Sequence, residues 1–419
     1  MKQTIKREAP VKNVYTPDVT SGKKSRIIPT VPMKNYEGFL RPADDKAARA
    51  AGDDCVKEVF ANIISDFERN AAYCERNGEE NPDLMVHVST FVIIGGIVYM
   101  TYYANTGNVH EDPRYQCARL AYCPLDDPEE MTIVDLQKVG DELDGKEITH
   151  LYDTILMYKG GDELYLLWTA SPLGNYYRLY CTFHISTKTL GPIKANRFRV
   201  GDVVNDFSIT GMQSALACNE IPHKEMWSDI GIMQKLSTRV ENGETYYYTG
   251  AYSGNFNCII KSRDLITWEY VAAPDFLNNS RWENATYVLN DKIYYFVRQQ
   301  ECEQGFLTCY DLVEETWATP MLIADAQSRS DFIYYKDALY LIHAPINREG
   351  FGIVKVNTEE LSRSEVVLVA DMKDSCFYPY VSVYGDDAYI SYTVARKHIR
   401  LSKFDLRKYI SVQPETIFG

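Results

Sequence analysis

YVLNDKIYYFV (287–297) reads as two β-rich runs joined across Asn290 and Asp291, the second opening on an apolar residue followed by tyrosine. Turn formers between two such runs make a β-hairpin. The same text recurs as VIIGGIVYMTYY (92–103), LMYKGGDELYLLW (156–168), RVENGETYYYTG (239–250), FIYYKDALYLIH (332–343) and VSVYGDDAYISY (381–392). Aligned on Tyr99, Tyr165, Tyr246, Tyr294, Tyr340 and Tyr389, the copies are 66, 81, 48, 46 and 49 residues apart. Further strand-like text follows each copy, among it RLYCTFHI (178–185) and GIVKV (352–356). Four strands at a period of about 50 residues is the spacing of a β-propeller, whose closure leaves no long exposed edge. The units lack a 3.6-residue period, which excludes helical solenoids. The expected fold is therefore all-β, a six-bladed propeller over 81–419, with five blades as the runner-up.

Residues 1–80 read as an N-terminal extension. Val56, Val59, Phe60, Ile63, Ile64 and Phe67 share one helical face within 43–76, which predicts a helix packing on the outside of the propeller. RIIPTV (26–31) is the candidate for the missing fourth strand of the last blade. The long gap holds a second extra segment, about 195–228, read as a surface loop with His223 and Trp227 as candidate lid residues.

Hydrophobic residues make up 45% of the chain and charged ones 24%, as in a soluble protein with a large core. The net charge of −14 argues against nucleic acid as a partner. No apolar run is long enough for a membrane span, and the N-terminus reads without a signal peptide, so a cytoplasmic location is expected. The ten cysteines form no CxxC pair, so reduced thiols are expected, with neither a metal nor another cofactor.

In a propeller the innermost strands all begin at one face, and side chains from several blades converge there. Counting back ten to twelve residues from each aligned tyrosine gives His87, Ser89, Asp153, Glu283, Asn284, Arg329, Asp331 and Tyr378, with Gln234 in the third copy. Counting forward gives the exits of the second strands, including Asn105, Ser171, Tyr252, Arg298, Asn347, Arg348 and Arg396. Arginine grips carboxylates through a two-pronged fork, so the bias toward Arg298, Arg329, Arg348 and Arg396 points to an anionic ligand group.

Over about 84–405 this layout resembles the sialidase (BNR-repeat) superfamily of six-bladed propellers. Glu283 in RWENATYV is followed fifteen residues later by Arg298 in YFVRQQ, then by Arg329 or Arg348, then by Tyr378 in SCFYPYVS. SRIIPTV resembles the Arg-Ile-Pro start of sialidase domains, which would make Arg26 the first arginine, and SRDLITWE (262–269) resembles a degraded Asp-box turn. No complete Asp box is present. SRDLITWE also resembles segments of five-bladed arabinosidase-like glycosidases.

The resemblance implies a glycoside hydrolase, exo-acting on an oligosaccharide, with Tyr378 as nucleophile, Glu283 as its base, and Asp153 or His87 protonating the leaving oxygen. Arg298, Arg329 and Arg348 would hold a sugar carboxylate, with Asp331, His150 and Trp282 as further substrate contacts. Two alternatives stand beside it. One is a uronic-acid lyase using His87, His150 and Tyr378; the other is a glycan-binding propeller without catalysis.

Overall fold

The computed structural model describes residues 13–16, 26–29, 56–60 and 83–404, apart from 128–129, 173, 227–228, 255, 275–279, 300–303, 325, 327 and 372–374. The chain is mostly β. Its strands form six sheets of four or more strands and one two-stranded ribbon. The first sheet is an antiparallel meander of Met85–Ile94, Ile97–Asn105, Gln116–Pro124 and Thr132–Lys138. The other five are built on the same up-and-down plan, and each aligned tyrosine lies in the second strand of its sheet.

Near-continuous burial along the inner strands explains why these runs form sheets and why the sheets stack. Both faces of the inner strands are apolar, so each sheet buries one face on the sheet before it and one on the sheet after it. Among the described residues the buried apolar side chains fall into six clusters, each shared by two neighbouring sheets. The last cluster joins Val86, Phe91 and Met100 of the first sheet to Tyr380, Tyr389 and Leu401 of the sixth. Three buried side chains stitch one inner strand to the next. Thr90 accepts from Leu156 N–H at 2.8 Å, Ser237 from Val288 N–H at 2.9 Å, and Asp331 from Val381 N–H at 3.0 Å.

Three expectations need correction. The helix expected over 43–76 is absent where that stretch is described. Val56–Phe60 is a strand, and it pairs antiparallel with His398–Phe404 to complete the sixth sheet. Backbone pairing with a distant open edge overrides the local helical pattern. RIIPTV does not fill that place: Arg26–Pro29 pairs with Asn13–Thr16 as a separate ribbon. Finally, the segment read as a loop is structured. Arg197–Val200 and Val203–Asp206 form a hairpin that adds in parallel to Thr267–Ala272, and Ile209–Cys218 is a helix. Ser208 caps that helix by accepting from Gly211 N–H, while Ile209, Met212, Ala215 and Leu216 face the core. Trp227 lies outside the described residues.

SRDLITWE makes a tight turn between Phe256–Ser262 and Thr267–Ala272. Asp264 Oδ1 accepts from Ile266 N–H and Thr267 N–H, both at 2.8 Å, Ser262 Oγ accepts from Leu265 N–H at 2.9 Å, and Trp268 is wholly buried. The described cysteines are free thiols, all but Cys218 buried. Among the described residues no helix is long and apolar enough to cross a membrane.

Candidate active site

The innermost strands converge on a cavity of about 250 Å³ lined from all six sheets by Val88, Asp153, Asp229, Glu283, Arg329 and Tyr378. Further along, the same strands line a second cavity of about 260 Å³ with Val92, Met157, Leu236, Tyr287, Ile333 and Val381. All six therefore run in one sense, from the first cavity to the second.

Backbone distortion marks the first cavity. Val88, Asp153, Asp229 and Tyr378 have φ of 56°, 53°, 63° and 55°, a left-handed conformation that side chains with a Cβ avoid, valine most of all. The pairing register breaks beside three of them, between His87 and Thr90, Leu167 and Thr169, and Phe377 and Tyr380. Bulges of this kind re-aim a side chain, and such strain persists where the surroundings over-determine it.

Tyr378 Oη donates to Glu283 Oε1 at 2.5 Å, and Arg298 Nη1 donates to Glu283 Oε2 at 2.7 Å. The Arg329 guanidinium lies 4.9 Å from the Tyr378 ring centroid. His87, from the first sheet, stacks on the Tyr378 ring, their centroids 4.5 Å apart. Burial alone would raise the Glu283 carboxyl; Arg298 and Arg329, with the Tyr378 hydrogen bond, outweigh it and hold the group below the usual carboxylate range. Burial, then the charge of Glu283, push the Tyr378 phenol well up, and Arg298 and Arg329 oppose this. Burial, then Arg396, Arg329 and Arg348, push His87 well down, so its imidazole is neutral at pH 7.

Two aspartates share the cavity in contrasting states. Asp153 is enclosed by donors: Arg329 Nη2 at 2.6 Å, Arg178 Nη1 at 3.2 Å and Tyr252 Oη at 3.0 Å. Burial opposes its ionisation, but Arg329 and Arg178 prevail and hold its carboxyl below the ordinary range. Asp229 carries no ion pair among the described residues. Burial, with Glu283, Asp153 and Glu111 nearby, raises it to about 6, against the opposing effect of the Tyr152 hydroxyl.

The structure thus brings Tyr378, Glu283, Arg298, Arg329, Asp153 and His87 together. His87 is wholly buried behind Tyr378 and does not line the cavity. Arg348 flanks the group, 5.7 Å from the Phe377 ring centroid, and Arg396, 5.1 Å from the same ring, pairs with Glu111 at 2.8 Å.

Other expected site residues lie elsewhere. Asp331 is a wholly buried stitch between the fifth and sixth sheets, paired with Lys235 at 3.0 Å and next to the second cavity. It stands nine residues before its aligned tyrosine, as Thr90 and Ser237 do, which is one step too deep for the mouth. Gln234 lines the second cavity as well. His150 is off the cavity, against Thr149 and the Tyr176 ring. Trp282 lies in the strand Ser280–Leu289, and its side chain is outside the described residues, as is that of Arg26.

Residues the count missed include Asp229, Arg178, Glu111 and Gln116. The third inner strand is split into Ile230–Ile232 and Ser237–Glu241, so its mouth residue stands seventeen positions before Tyr246 instead of eleven. IGI (230–232), pairing with the end of the tyrosine-rich strand, was the available signal.

No family model and no curated protein matches the chain. Among solved structures it is similar to Trypanosoma rangeli sialidase in complex with sialic acid, at 13% identity and TM-score 0.51, over 78% of this chain and 55% of that one. It also matches the phage phi92 endosialidase (9%, TM-score 0.49, over 87% and 71%) and polysaccharide lyase Uly1 (9%, TM-score 0.41, over 76% and 78%). This chain spans about half the length of the trypanosomal protein, and the likeness is one of fold.

Proposed function

We propose that the six sheets are the blades of one propeller and that the cavity hydrolyses the glycosidic bond of an acidic sugar. The observation that carries this reading is the pair Tyr378–Glu283, a phenol donating at 2.5 Å to a carboxylate whose other oxygen is held by Arg298.

A buried phenol is a poor nucleophile unless its proton leaves as the new bond forms. Glu283 is in place to take that proton, and Arg298 and Arg329 stabilise the negative charge the pair then shares. The Tyr378 oxygen bonds to the anomeric carbon while the bond to the leaving oxygen breaks. The leaving oxygen needs a proton at the same moment. Asp153 cannot supply it, since three donors keep it ionised. Asp229, raised to about 6, can. In the second half, water adds to the anomeric carbon, Asp229 takes its proton, and Tyr378 leaves with the proton returned by Glu283.

The sugar's carboxylate is assigned to the arginines. Arg329 keeps Nε and Nη1 without a hydrogen-bond partner, and Arg298 keeps Nε. Arg348 has no carboxylate within ion-pair distance among the described residues. Sialic acid, the ligand of the trypanosomal sialidase, is the first substrate to try. The lyase alternative keeps Tyr378 at the cavity but loses both histidines: His87 is walled off by the ring it supports, and His150 lies off the cavity.

The test is turnover of aryl glycosides of sialic and uronic acids. Tyr378→Phe and Glu283→Gln should each lower kcat by about 10³-fold or more, and the two losses should not add, because the residues act as one unit. Full activity in both variants, or an unsaturated product absorbing in the ultraviolet, sinks the reading.

A further inference from the structure

Beside the active cavity lies a larger one, about 510 Å³, and the short segment 113–116 serves both. Pro113 and Gln116 line the first; Arg114, Tyr115 and Gln116 line the second. Gln116 is the residue common to both linings.

Its lining has three features of a sugar site. Tyr115 is 50% exposed and packs against Gly107, where a Cβ would come within 2.9 Å of Tyr115 Cδ1. An exposed aromatic ring offers a face to the C–H side of a pyranose. The second feature is a lining cation, on a chain of net charge −14, left over once its neighbours are paired. Arg114, Arg119 and Lys138 face one carboxylate, Asp135. Arg119 is held between Asp83 and Asp135, and Arg114 grips Asp112 at 2.9 and 2.7 Å. Lys138 has no ion pair among the described residues. The third feature is Gln116. It is 1% exposed, and neither Oε1 nor Nε2 has a hydrogen-bond partner. A buried amide left unpaired is costly, and ligand hydroxyls on either side would satisfy it.

We propose that this cavity is a leaving-group subsite for a second acidic sugar: its ring stacks on Tyr115, its carboxylate meets Lys138, and Gln116 bonds the atoms at the junction. The substrate is then an oligosaccharide with carboxylates on adjacent residues. This rests on the hydrolase reading above and adds to it the nature of the leaving group.

The experiment compares the aryl glycoside of one acidic sugar with the disaccharide of that sugar, run for sialic acid and for a uronic acid on the full chain. A disaccharide ending in a neutral sugar is the third substrate. The acidic disaccharide should have the highest kcat/KM of the three. Its advantage over the aryl glycoside should fall about tenfold in Tyr115→Ala and again in Lys138→Glu, whereas the neutral disaccharide should be insensitive to Lys138→Glu. An unchanged ratio in both variants overturns the subsite while leaving the hydrolase reading intact. If nothing is cleaved, the hydrolase reading fails by itself, and calorimetric titration of the acidic disaccharide decides the subsite. Binding weakened about tenfold by Tyr115→Ala supports it; equal binding or none overturns it.

Discussion

Where the six innermost strands begin, four residues hold a left-handed backbone, and polar side chains from the second, fourth, fifth and sixth sheets interlock. Where the same strands approach their other end, the pairing of Ile333, Val381 and their neighbours is regular, and the ion pair Lys235–Asp331 is buried at 3.0 Å. One strand set thus carries two solutions to burying charge. At the far end the pair ties two sheets together, with Lys235 also donating to Val381 O and lying 4.6 Å from the Tyr380 ring centroid. At the mouth Arg178, Arg298 and Arg329 each serve a carboxylate yet retain unused N–H groups, beside strained backbone. Unused donors held in place by strain suit a binding site; an ion pair on regular backbone that ties sheets together suits a fastener, even with Asp331 Oδ1 left unpartnered.

The largest effect that would break this contrast is expected at Asp153. Asp153→Ala strands Arg178, which is wholly buried, and Arg329, so stability should fall by about 3–5 kcal/mol in denaturant unfolding. Turnover should fall too, since Arg329 is released from beside Tyr378. The depressed carboxyl means the stabilisation is present above the unfolded value near 3.9 and lost as pH falls through the lower folded value. A variant as stable as the parent would make Asp153 a surface-like acid and erase the distinction. Lys235→Met at the far end should cost less, about 2–3 kcal/mol at pH 7, because Asp331 can take up a proton instead of staying charged. Burial already raises Asp331 to about 6, against Lys235, so the penalty should shrink in unfolding curves below that pH. Its kcat should match that of the parent. A large loss of kcat would show that the two ends are one functional unit.

The contrast also explains what could be read from the sequence. Hairpin text and aligned tyrosines report burial on both faces, a property repeated in every sheet, and all six tyrosines fall in second strands. Glu283, Arg329 and Tyr378 each stand eleven residues before their tyrosine and Asp153 twelve, within the counted window, while in the first copy the count named His87 and Ser89 on either side of the lining residue Val88. It failed at the third sheet, where a split strand hides Asp229 and moves Gln234 to the other cavity. Asp331 was misplaced for a different reason. A two-residue step along a strand keeps the side chain on the same face but carries it past the mouth, and composition cannot distinguish a stitch from a ligand. The strand Val56–Phe60 was illegible because its pairing partner, His398–Phe404, lies more than three hundred residues away.

The smallest and sharpest test compares the two aspartates of the mouth. Asp229 is raised to about 6, so its ionised form is disfavoured by folding. Its sign is opposite to that of Asp153: what it contributes is fully present below the unfolded value near 3.9 and lost as pH rises through about 6. Asp229→Asn should therefore stabilise the protein at pH 8 by about 1–2 kcal/mol after allowance for its partial exposure, and should leave stability at pH 4 nearly unchanged. The catalytic consequence has the same origin. An acid that must be protonated gives kcat/KM that falls above about pH 6, and Asp229→Asn should remove that limb. The loss should be greatest for sugar leaving groups, which need the proton, and smaller for aryl ones, which depart without it. A variant equally impaired on both, with the alkaline limb intact, would return the proton to another donor and leave Asp229 as a strained wall of the cavity.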